Sequence, residues 1–371
     1  MVTSYHRPTK AVIDLNAIWQ NIAQEKQQHP DKEIFAVVKA DGYGHGAVSV
    51  AKVALKAGAQ GFCTATLDEA MELRHSGITQ PILILGIISP ADAALAAAYH
   101  LSVPVAEVEW LKEAATYLKN SFFTLHLHIK IDTGMGRIGF LNAEETTQAL
   151  EIIEKEQNFY WEGIFTHFAT ADQEDVQYFQ AQSRYFNEIL NTLPYQPKYV
   201  HTANSATAMW HQDVGNMVRL GIAMYGLNPS GVTLTSTYPL YPALSLVSEI
   251  VQTKKLPKGY GIGYGKTYET KTEEWIATIP IGYADGFTRD LQGFHVLING
   301  EFCEVVGRVC MDQIMVRLPG KVKEGTKVTL VGKDGTNEIT LQDIAIYKGT
   351  NNYEVACLIS DRVPREYVEK G

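Results

Sequence analysis

Short apolar runs alternate with amphipathic segments through the first two thirds of the chain. Short apolar runs predict buried strands, and apolar positions at helical spacing between them predict helices. From residue 34 onward this alternation gives eight predicted strands within about 200 residues, which is typical of an α/β fold of the (β/α)8, TIM-like barrel type. The predicted strands are 34–38, 61–65, 81–85, 101–105, 122–131, 163–167, 198–202 and 217–220.

The pattern changes beyond residue 239, where strand-like stretches follow one another with few helical patterns. Asn299-Gly300 between β-forming residues predicts a tight hairpin there. We therefore predict a barrel domain at 1–238 and a mainly β domain at 239–371. A strand at 11–15 precedes the eight barrel strands and is available to pair with the second domain. A doubly wound open sheet is the alternative, although the Gly-x-Gly-x-x-Gly phosphate motif is missing after the first strand.

Composition narrows the classes of partner. The chain has 371 residues, of which 46% are hydrophobic and 20% charged, and its formal net charge is −9 without a basic block. That charge argues against nucleic acid or an anionic membrane and favours a small-molecule partner. No apolar run reaches the ~18 residues of a membrane span, and the start lacks a secretory pattern, so we expect a cytoplasmic protein. The four cysteines are too sparse for a disulfide framework.

The stretch at 35–46 combines a buried strand with a glycine-rich turn. Its apolar run ends at Lys39, and three glycines interleaved with Asp41, Tyr43 and His45 follow. Ligands bind at the carboxyl ends of barrel strands, so Lys39 is predicted to point its amine into a site, beside backbone that a ligand can approach closely. A solvated lysine at a strand exit is the alternative.

The predicted strand at 122–131 carries an alternating row of polar residues. His126, His128, Lys130 and Asp132 share one face, because side chains alternate along a strand. A His-x-His pair could bind a divalent metal, as in hydrolytic barrels, or could hydrogen-bond inside a packed layer. The glycine-rich turn that follows contains Arg137, whose planar guanidinium suits a carboxylate. That turn favours an anion site over a metal site.

Three further polar residues lie on successive strands. His167 ends one predicted strand, His201 lies in the next, and Arg219 is near the end of the last, so all three face the same barrel mouth as Lys39. The loops after the last two strands are the usual phosphate position in such barrels. The residues in those loops are Asn204, Ser205, Gly221 and Ile222.

The β domain contributes three glycine-framed or polar motifs, around Tyr264, Tyr283 and Met311-Asp312. Together with Ala36-Val37-Val38-Lys39-Ala40-Asp41-Gly42-Tyr43-Gly44-His45-Gly46, these motifs resemble the alanine racemase family, which uses pyridoxal 5'-phosphate (PLP). The resemblance covers nearly the whole chain. It implies that Lys39 is the lysine to which PLP is attached and that Tyr264 is the second catalytic base.

The resemblance also implies roles for the remaining residues. The phosphate of PLP would be held by Tyr43, Ser205, Gly221, Ile222 and Tyr353. Arg219 would hydrogen-bond the pyridine nitrogen, and Lys130 would be carbamylated and hold Arg137 near cofactor and substrate. Met311 would contact the substrate carboxylate through its backbone. We expect His167 and Asn204 at the cofactor, and the supporting residues are Lys130, His201, Tyr283 and Asp312.

Racemisation removes a proton from one face of the α-carbon and returns one to the other face, so it calls for two bases on opposite sides. The resemblance places Tyr264 and Met311 in the site of a partner subunit and thus implies a homodimer. The implied activity is interconversion of L- and D-alanine, supplying D-alanine for peptidoglycan. The alternatives are a racemase of serine or of several amino acids, a non-catalytic PLP-binding barrel, and a metal-dependent hydrolase.

Overall fold

The structure, a computed structural model, describes residues 2–369 and contains two compact units. The barrel unit comprises Ala17–Gly42 and Gly46–Pro242. The β unit comprises the residues up to Asn16, the short segment Tyr43–His45, and the residues from Ala243 onward. In the described range no helix is long and apolar enough to cross a membrane.

Among the described residues before 221 there are nine strands, and eight of them form the barrel. They are β1 (Lys10–Asp14), β2 (Glu33–Val37), β3 (Gly61–Thr64), β4 (Ile82–Ile84), β5 (Ser102–Val105), β6 (Leu125–Lys130), β7 (Phe159–Phe165), β8 (Tyr199–His201) and β9 (Met217–Leu220). Strands β2 to β9 form one parallel sheet in the order β8-β7-β6-β5-β4-β3-β2-β9. A bridge between Ala203 and Val218 joins the chain after β8 to β9, so the ring is nearly closed. The predicted β/α barrel is confirmed.

The helices of this part of the chain connect successive strands. They are α1 (Leu15–Gln28), α2 (Lys39–Gly44), α3 (Ala47–Lys56), α4 (Leu67–His75), α5 (Ala93–Ala98), α6 (Val108–Leu118), α7 (Ala143–Lys155), α8 (Gln177–Thr192) and α9 (Ser205–Trp210). Side chains satisfy free N–H groups at several of their starts. Thr66 and Glu69 form a capping box at the start of α4, and Asn142 and Asn204 cap α7 and α9.

The β unit is built on a mixed sheet and a three-stranded sheet. Its further strands are β10 (Leu244–Glu249), β11 (Gln252–Leu256), β12 (Gly261–Ile262), β13 (Tyr268–Glu269), β14 (Glu274–Ile279), β15 (His295–Ile298), β16 (Glu301–Glu304), β17 (Ile314–Leu318), β18 (Lys327–Asp334), β19 (Asn337–Ile339) and β20 (Arg365–Val368). Strand β1 pairs antiparallel with β10 and parallel with β20. The strand left over from the barrel therefore belongs to the sheet of the C-terminal strands.

In the β unit, one local prediction is confirmed and two helices are missing from the sequence prediction. The hairpin at Asn299-Gly300 is confirmed, because β15 and β16 pair directly and both turn residues have positive φ, 53° and 79°. Two helices were not predicted, α10 (Leu341–Lys348) and α11 (Asn352–Leu358). Both are short, and Thr340 and Asn351 cap their starts.

Two barrel strands differ clearly from their predicted bounds. Strand β7 begins at Phe159 instead of residue 163 and ends at Phe165, so the prediction that His167 ends this strand is wrong. Strand β6 spans only Leu125–Lys130, since Phe122 and Phe123 are exposed and the chain becomes extended after them. The alanine-rich helix α5 is preceded by a 3₁₀ turn at Pro90–Asp92, which Ser89 caps through the N–H of Ala91. Apolar character alone predicted a longer strand than the sheet can pair.

We expect the turn that ends the barrel to tolerate no side chain at Gly226. Its φ is 78°, and a Cβ would lie 1.9 Å from the carbonyl oxygen of Tyr241. Gly58 is a matched control, with φ of 100° and no heavy atom within 4 Å of its Cβ position. Gly58→Ala should lower the free energy of unfolding by about 1–2 kcal/mol, the cost of the left-handed backbone. Gly226→Ala should lower it by a further ~1–3 kcal/mol for the clash.

Urea denaturation of both variants, followed by far-UV circular dichroism, measures this difference. Equal losses in the two variants would show that the turn at Gly226 relaxes freely and that the contact with Tyr241 does not fix it.

Candidate active site

The backbone after β2 forms a left-handed turn that carries Lys39. Strand β2 ends at Val37, whereas the predicted strand runs to residue 38, so Lys39 lies in the turn that follows the strand. Ala40, Asp41 and Tyr43 have φ near 50°, and Gly42 and Gly44 have φ of 62° and 77°, so α2 is wound left-handed. The N–H of Gly42 bonds the carbonyl of Val38 at 2.8 Å. Non-glycine residues rarely adopt this conformation, which marks the turn as strained and candidate functional backbone.

Side chains of the barrel unit hold this turn in place. Glu69 accepts the N–H of Ala40 at 2.7 Å through one carboxylate oxygen, and through the other it accepts the N–H groups of the α4 capping box. The hydroxyl of Tyr225 donates to the carbonyl of Val37 at 3.0 Å. Asp41 accepts the N–H of Ala47 at 2.8 Å and so starts α3. These bonds offset the backbone strain beside Lys39.

Arg219 is a buried cation, 4% exposed, near the end of β9. Its Nη1 lies 2.7 Å from Nδ1 of His201, and its Nη2 lies 3.4 Å from Nδ1 of His167. Nη1 also donates to the carbonyl of His201 at 3.1 Å, and Nη2 to those of Thr166 at 3.0 Å and Thr202 at 3.2 Å. Burial lowers the pKa of Arg219 to about 10, so the group stays charged at neutral pH. The predicted convergence of His167, His201 and Arg219 is therefore present.

Positive charge is concentrated around the half-buried His167. The pKa of His167 lies well below its usual value, first because burial disfavours the imidazolium and then because of four neighbouring cations. Those cations are, in order of their effect, Arg219, Arg137, Lys130 and Lys39. A cluster of cationic side chains at the carboxyl ends of barrel strands attracts an anion.

Lys130 and the loop after it form one edge of this cluster. Lys130 is 2% exposed, and burial, followed by the charge of Arg219, lowers its pKa to about 7. Its ammonium donates to the carbonyl of Ile131 at 2.7 Å. Asp132 accepts the N–H groups of Gly134, Gly136 and Arg137 at 2.9 to 3.1 Å and so fixes the loop that carries Arg137. The guanidinium of Arg137 is thereby held on a defined backbone, with its residue exposed.

The residues predicted to bind phosphate lie at two helix starts. Asn204 caps α9 through the N–H of Thr207, and the buried hydroxyl of Ser205 accepts the N–H of Gly221 at 2.9 Å. Gly221 precedes a 3₁₀ turn that begins at the buried Ile222. The loops after β8 and β9 are thus tied together, and their N–H groups lie where barrels of this kind bind phosphate.

The other predicted site residues belong to the β unit. The rings of Tyr43 and Tyr353 lie 6.2 Å apart, centroid to centroid. Tyr264 is 70% exposed and Met311 51% exposed, both high for large apolar residues. Tyr283, also exposed, donates its N–H to the carbonyl of Cys310 at 3.0 Å.

An ion-pair network fixes the backbone around Tyr283 and Met311. Arg362 contacts Asp312 at 2.6 Å and the buried Asp285 at 3.5 Å, and Arg7 binds Asp285 through both oxygens. Asp285 in turn accepts the N–H of Gly282 at 3.0 Å. Asp312 therefore acts within the β unit as an anchor.

Several polar residues of the site region were missed in the sequence. The carboxylate of Glu162 accepts hydrogen bonds from His126, His128 and Ser102. The two histidines therefore belong to a hydrogen-bonded layer. Across the described residues there is no group of three or more ligand side chains arranged to hold a metal ion. Glu69 was noticed only as a capping residue, because its second bond, to Ala40, joins segments 29 residues apart.

The barrel residues fit the cofactor that the sequence resemblance implied. A dianionic phosphate suits the N–H groups at the starts of α9 and of the turn at Ile222. The described hydrogen-bond partners of the buried guanidinium of Arg219 are carbonyls and imidazoles, which are neutral. Its positive charge is therefore available to an anionic ligand. Fold and site together define a β/α-barrel enzyme that presents a lysine and several cations to an anionic cofactor.

Comparisons with known proteins give the family. The sequence profile of the alanine racemase N-terminal domain matches residues 13–229, and that of the C-terminal domain matches 243–367. The chain is 53% identical to an alanine racemase of Lactiplantibacillus plantarum over the full length of both proteins. The chain belongs to the alanine racemase family, and its activity is the PLP-dependent interconversion of L-alanine and D-alanine.

Solved structures of racemases superpose closely on this chain. The crystal structure of alanine racemase from E. faecalis superposes with a TM-score of 0.98 at 56% identity, covering 99% of this chain and all of that one. A histidine racemase from Leuconostoc mesenteroides superposes with a TM-score of 0.94 at 34% identity, with 99% of each chain covered. One barrel architecture therefore accompanies racemases named for different amino acids.

We expect Asp132→Asn to lower the free energy of unfolding by about 1–3 kcal/mol at pH 7, because the carboxylate accepts three N–H groups. Burial would raise the pKa of Asp132, but those bonds outweigh it and the pKa is lowered. The folded protein then binds fewer protons than the unfolded chain between the lowered pKa and the usual value of about 4. The stability contributed is therefore complete above that window and is lost as the pH falls through it.

Chemical denaturation of wild type and Asp132→Asn at a series of pH values checks this expectation. The stability difference should narrow below about pH 4. Asp31→Asn, an exposed carboxylate, serves as control. A difference that does not change with pH would contradict the assignment.

Proposed function

We propose that Lys39 and Tyr264 are the two acid–base groups of the racemisation. The observation that supports the proposal is the cationic cluster around His167, because Lys39 is one of the cations whose charges lower the pKa of His167. PLP, when bound, withdraws electrons from the α-carbon of an amino acid and acidifies its proton. Lys39 removes or returns that proton on one face, and the hydroxyl of Tyr264 does so on the other.

We propose that Arg219 limits how strongly the cofactor withdraws electrons. Arg219 donates hydrogen bonds and keeps its own proton, so it would leave the pyridine nitrogen of a bound cofactor unprotonated. A carboxylate partner at this position would favour a protonated ring and a stronger electron sink. The weaker sink suppresses side reactions such as transamination. Support comes from the neutral acceptors that surround the guanidinium.

We propose a set of residues that would bind the cofactor. Lys39 would hold PLP covalently, His167 and Arg137 would contribute to its binding, and the phosphate would be bound by Tyr43, Asn204, Ser205, Gly221, Ile222 and Tyr353. The bond from the N–H of Gly221 to Ser205 supports the barrel part of this set, because it brings the two phosphate loops together. The ring contact of Tyr43 with Tyr353 supports the other part.

We propose that Lys130 carries a carbamate. An amine must be neutral to react with carbon dioxide, and the pKa of Lys130 is lowered to about 7 by burial and by the nearby Arg219. The ammonium first loses one proton, and the neutral nitrogen then bonds to the carbon of carbon dioxide and releases a second proton, so that a cation becomes an anion. The carbamate orients Arg137, which is then positioned to bind the carboxylate of the substrate.

We propose that a homodimer completes the site. Tyr264, Met311 and Tyr283 are large side chains that remain exposed on the β unit of one chain. Exposed large side chains of this kind are typical of surfaces that bind a partner. The backbone of Met311 binds substrate carboxylate in the partner's site, and Tyr283 and Asp312 support it. The cell role proposed is supply of D-alanine for peptidoglycan in the cytoplasm.

Lys39→Ala should abolish racemisation and the visible absorption of the bound cofactor, since the covalent link is lost. Wild-type protein should be yellow and should be bleached by borohydride, which reduces that link. The control is Lys52→Ala, an exposed lysine on α3. Activity assayed by chiral chromatography on alanine, serine and histidine also defines the substrate range. An active, yellow Lys39→Ala protein would contradict the assignment.

Mixing Lys39→Ala and Tyr264→Phe tests whether Tyr264 acts across the dimer. Each variant alone should be inactive. Each mixed dimer would contain one site with both native residues, so co-expressed chains that pair at random should recover about a quarter of wild-type activity. Full inactivity of isolated mixed dimers, purified with two different tags, would show that both bases come from the same chain.

A further inference from the structure

A continuous line of polar groups runs from Arg219 through the barrel interior. Nη1 of Arg219 lies 2.7 Å from Nδ1 of His201, and Nε2 of His201 lies 2.8 Å from Nδ1 of His128. Nε2 of His128 lies 3.1 Å from a carboxylate oxygen of Glu162. All four residues are buried, and His201 and His128 are 0% and 1% exposed.

The chemistry of the two ends sets the direction of every bond in this line. A guanidinium has only donors, so Nδ1 of His201 must accept and its proton must be on Nε2. That proton is donated to Nδ1 of His128, whose own proton is therefore on Nε2. A carboxylate has only acceptors, so Glu162 takes that last proton. A second proton on either imidazole would face another donor, and both histidines are accordingly neutral.

A bulge between β6 and β7 and the glycine at position 163 allow Glu162 and His128 to take part in this line. Between Leu127 and His128 the pairing of β6 with β7 shifts by one residue, so that Leu127 faces Trp161 and His128 faces Gly163. Glu162 is the extra residue of this bulge, and a bulge redirects its side chain. A Cβ on Gly163 would lie 2.3 Å from Nδ1 of His128. The glycine thus leaves room for the imidazole.

The environment agrees with these protonation states. Burial lowers the pKa of His128 and of His201, which favours neutral imidazoles. Burial would raise the pKa of Glu162, but hydrogen bonds from His126 and His128 outweigh it, and the pKa is lowered. Glu162 also accepts from the hydroxyl of Ser102. The carboxylate end of the line remains ionised at neutral pH.

We propose that Glu162 is a positioning residue of the racemase, which acts through His128 to hold His201 in the Nε2-protonated form and thereby orients Arg219. The consequence for the reaction rests on the role proposed above for Arg219. Without the carboxylate, His128 loses its fixed acceptor and can place its proton on Nδ1. His201 then presents a proton to Arg219, and the two donors repel each other.

Two substitutions at Glu162 separate this role from simple packing. Glu162→Gln keeps an acceptor, because the amide oxygen can accept the hydrogen bond from His128. The amide nitrogen then faces His126. His126 is partly exposed, and its proton can move to the other ring nitrogen so that it accepts this bond. Glu162→Leu fills similar space without an acceptor. Gly163→Ala leaves all polar groups intact but displaces His128. His126→Asn is the control, since His126 contacts Glu162 off the line to Arg219.

Nitrogen-15 NMR of histidine-labelled holoenzyme reads the protonated nitrogen directly, and the signals of His201 are assigned by their loss in His201→Asn. Wild type, Glu162→Gln and His126→Asn should show His201 protonated at Nε2. Glu162→Leu and Gly163→Ala should show the proton moved to Nδ1 or shared between the two nitrogens. The kcat of these two variants should fall by about tenfold, the effect of one buried hydrogen bond, with KM changing less than about threefold.

The outcomes distinguish the two proposals. A wild-type His201 protonated at Nδ1, or a Glu162→Leu protein whose His201 signals match those of wild type, overturns the role of Glu162. A proton shift at His201 with kcat unchanged supports that role and overturns the role given to Arg219 in the reaction. Thermal melting of each holoenzyme establishes that the variants compared are folded.

Discussion

A buried guanidinium needs a hydrogen-bond acceptor for each of its protons, and the interior of this barrel is arranged around that requirement at Arg219. Its described acceptors are backbone carbonyls of the β7 and β8 ends and the ring nitrogens of His167 and His201. Each is neutral, so the positive charge is satisfied in hydrogen bonding but is not neutralised. An anionic cofactor can use that charge, and the imidazoles can accept only if they remain uncharged.

That requirement extends well beyond the residues in contact with Arg219. Neutral His201 needs an acceptor for its own proton, which His128 supplies, and His128 in turn needs Glu162. Buried polar groups without partners cost about 1–3 kcal/mol each, so a line of this kind is stable only when complete. The bulge in β7 and the missing Cβ of Gly163 are the structural conditions that complete it.

The second constraint is the left-handed backbone that follows Lys39. Within this turn Ala40, Asp41 and Tyr43 adopt positive φ, at a cost of about 1–2 kcal/mol each. Glu69, Tyr225 and the cap at Ala47 supply bonds that a relaxed loop would lack. The backbone beside Lys39 is held in one arrangement, because alternative conformations would break those bonds.

The sequence by itself determined the eight-stranded barrel, the β unit, the hairpin at Asn299-Gly300 and the family, because apolar periodicity and short motifs are local properties. It also indicated that His167, His201 and Arg219 would converge, since barrel strands share one carboxyl end. Tertiary structure alone decided the left-handed turn after Val37, the second bond of Glu69 and the inward direction of Glu162. Each of these depends on pairing between segments distant in sequence, and no local pattern of residues specifies such pairing.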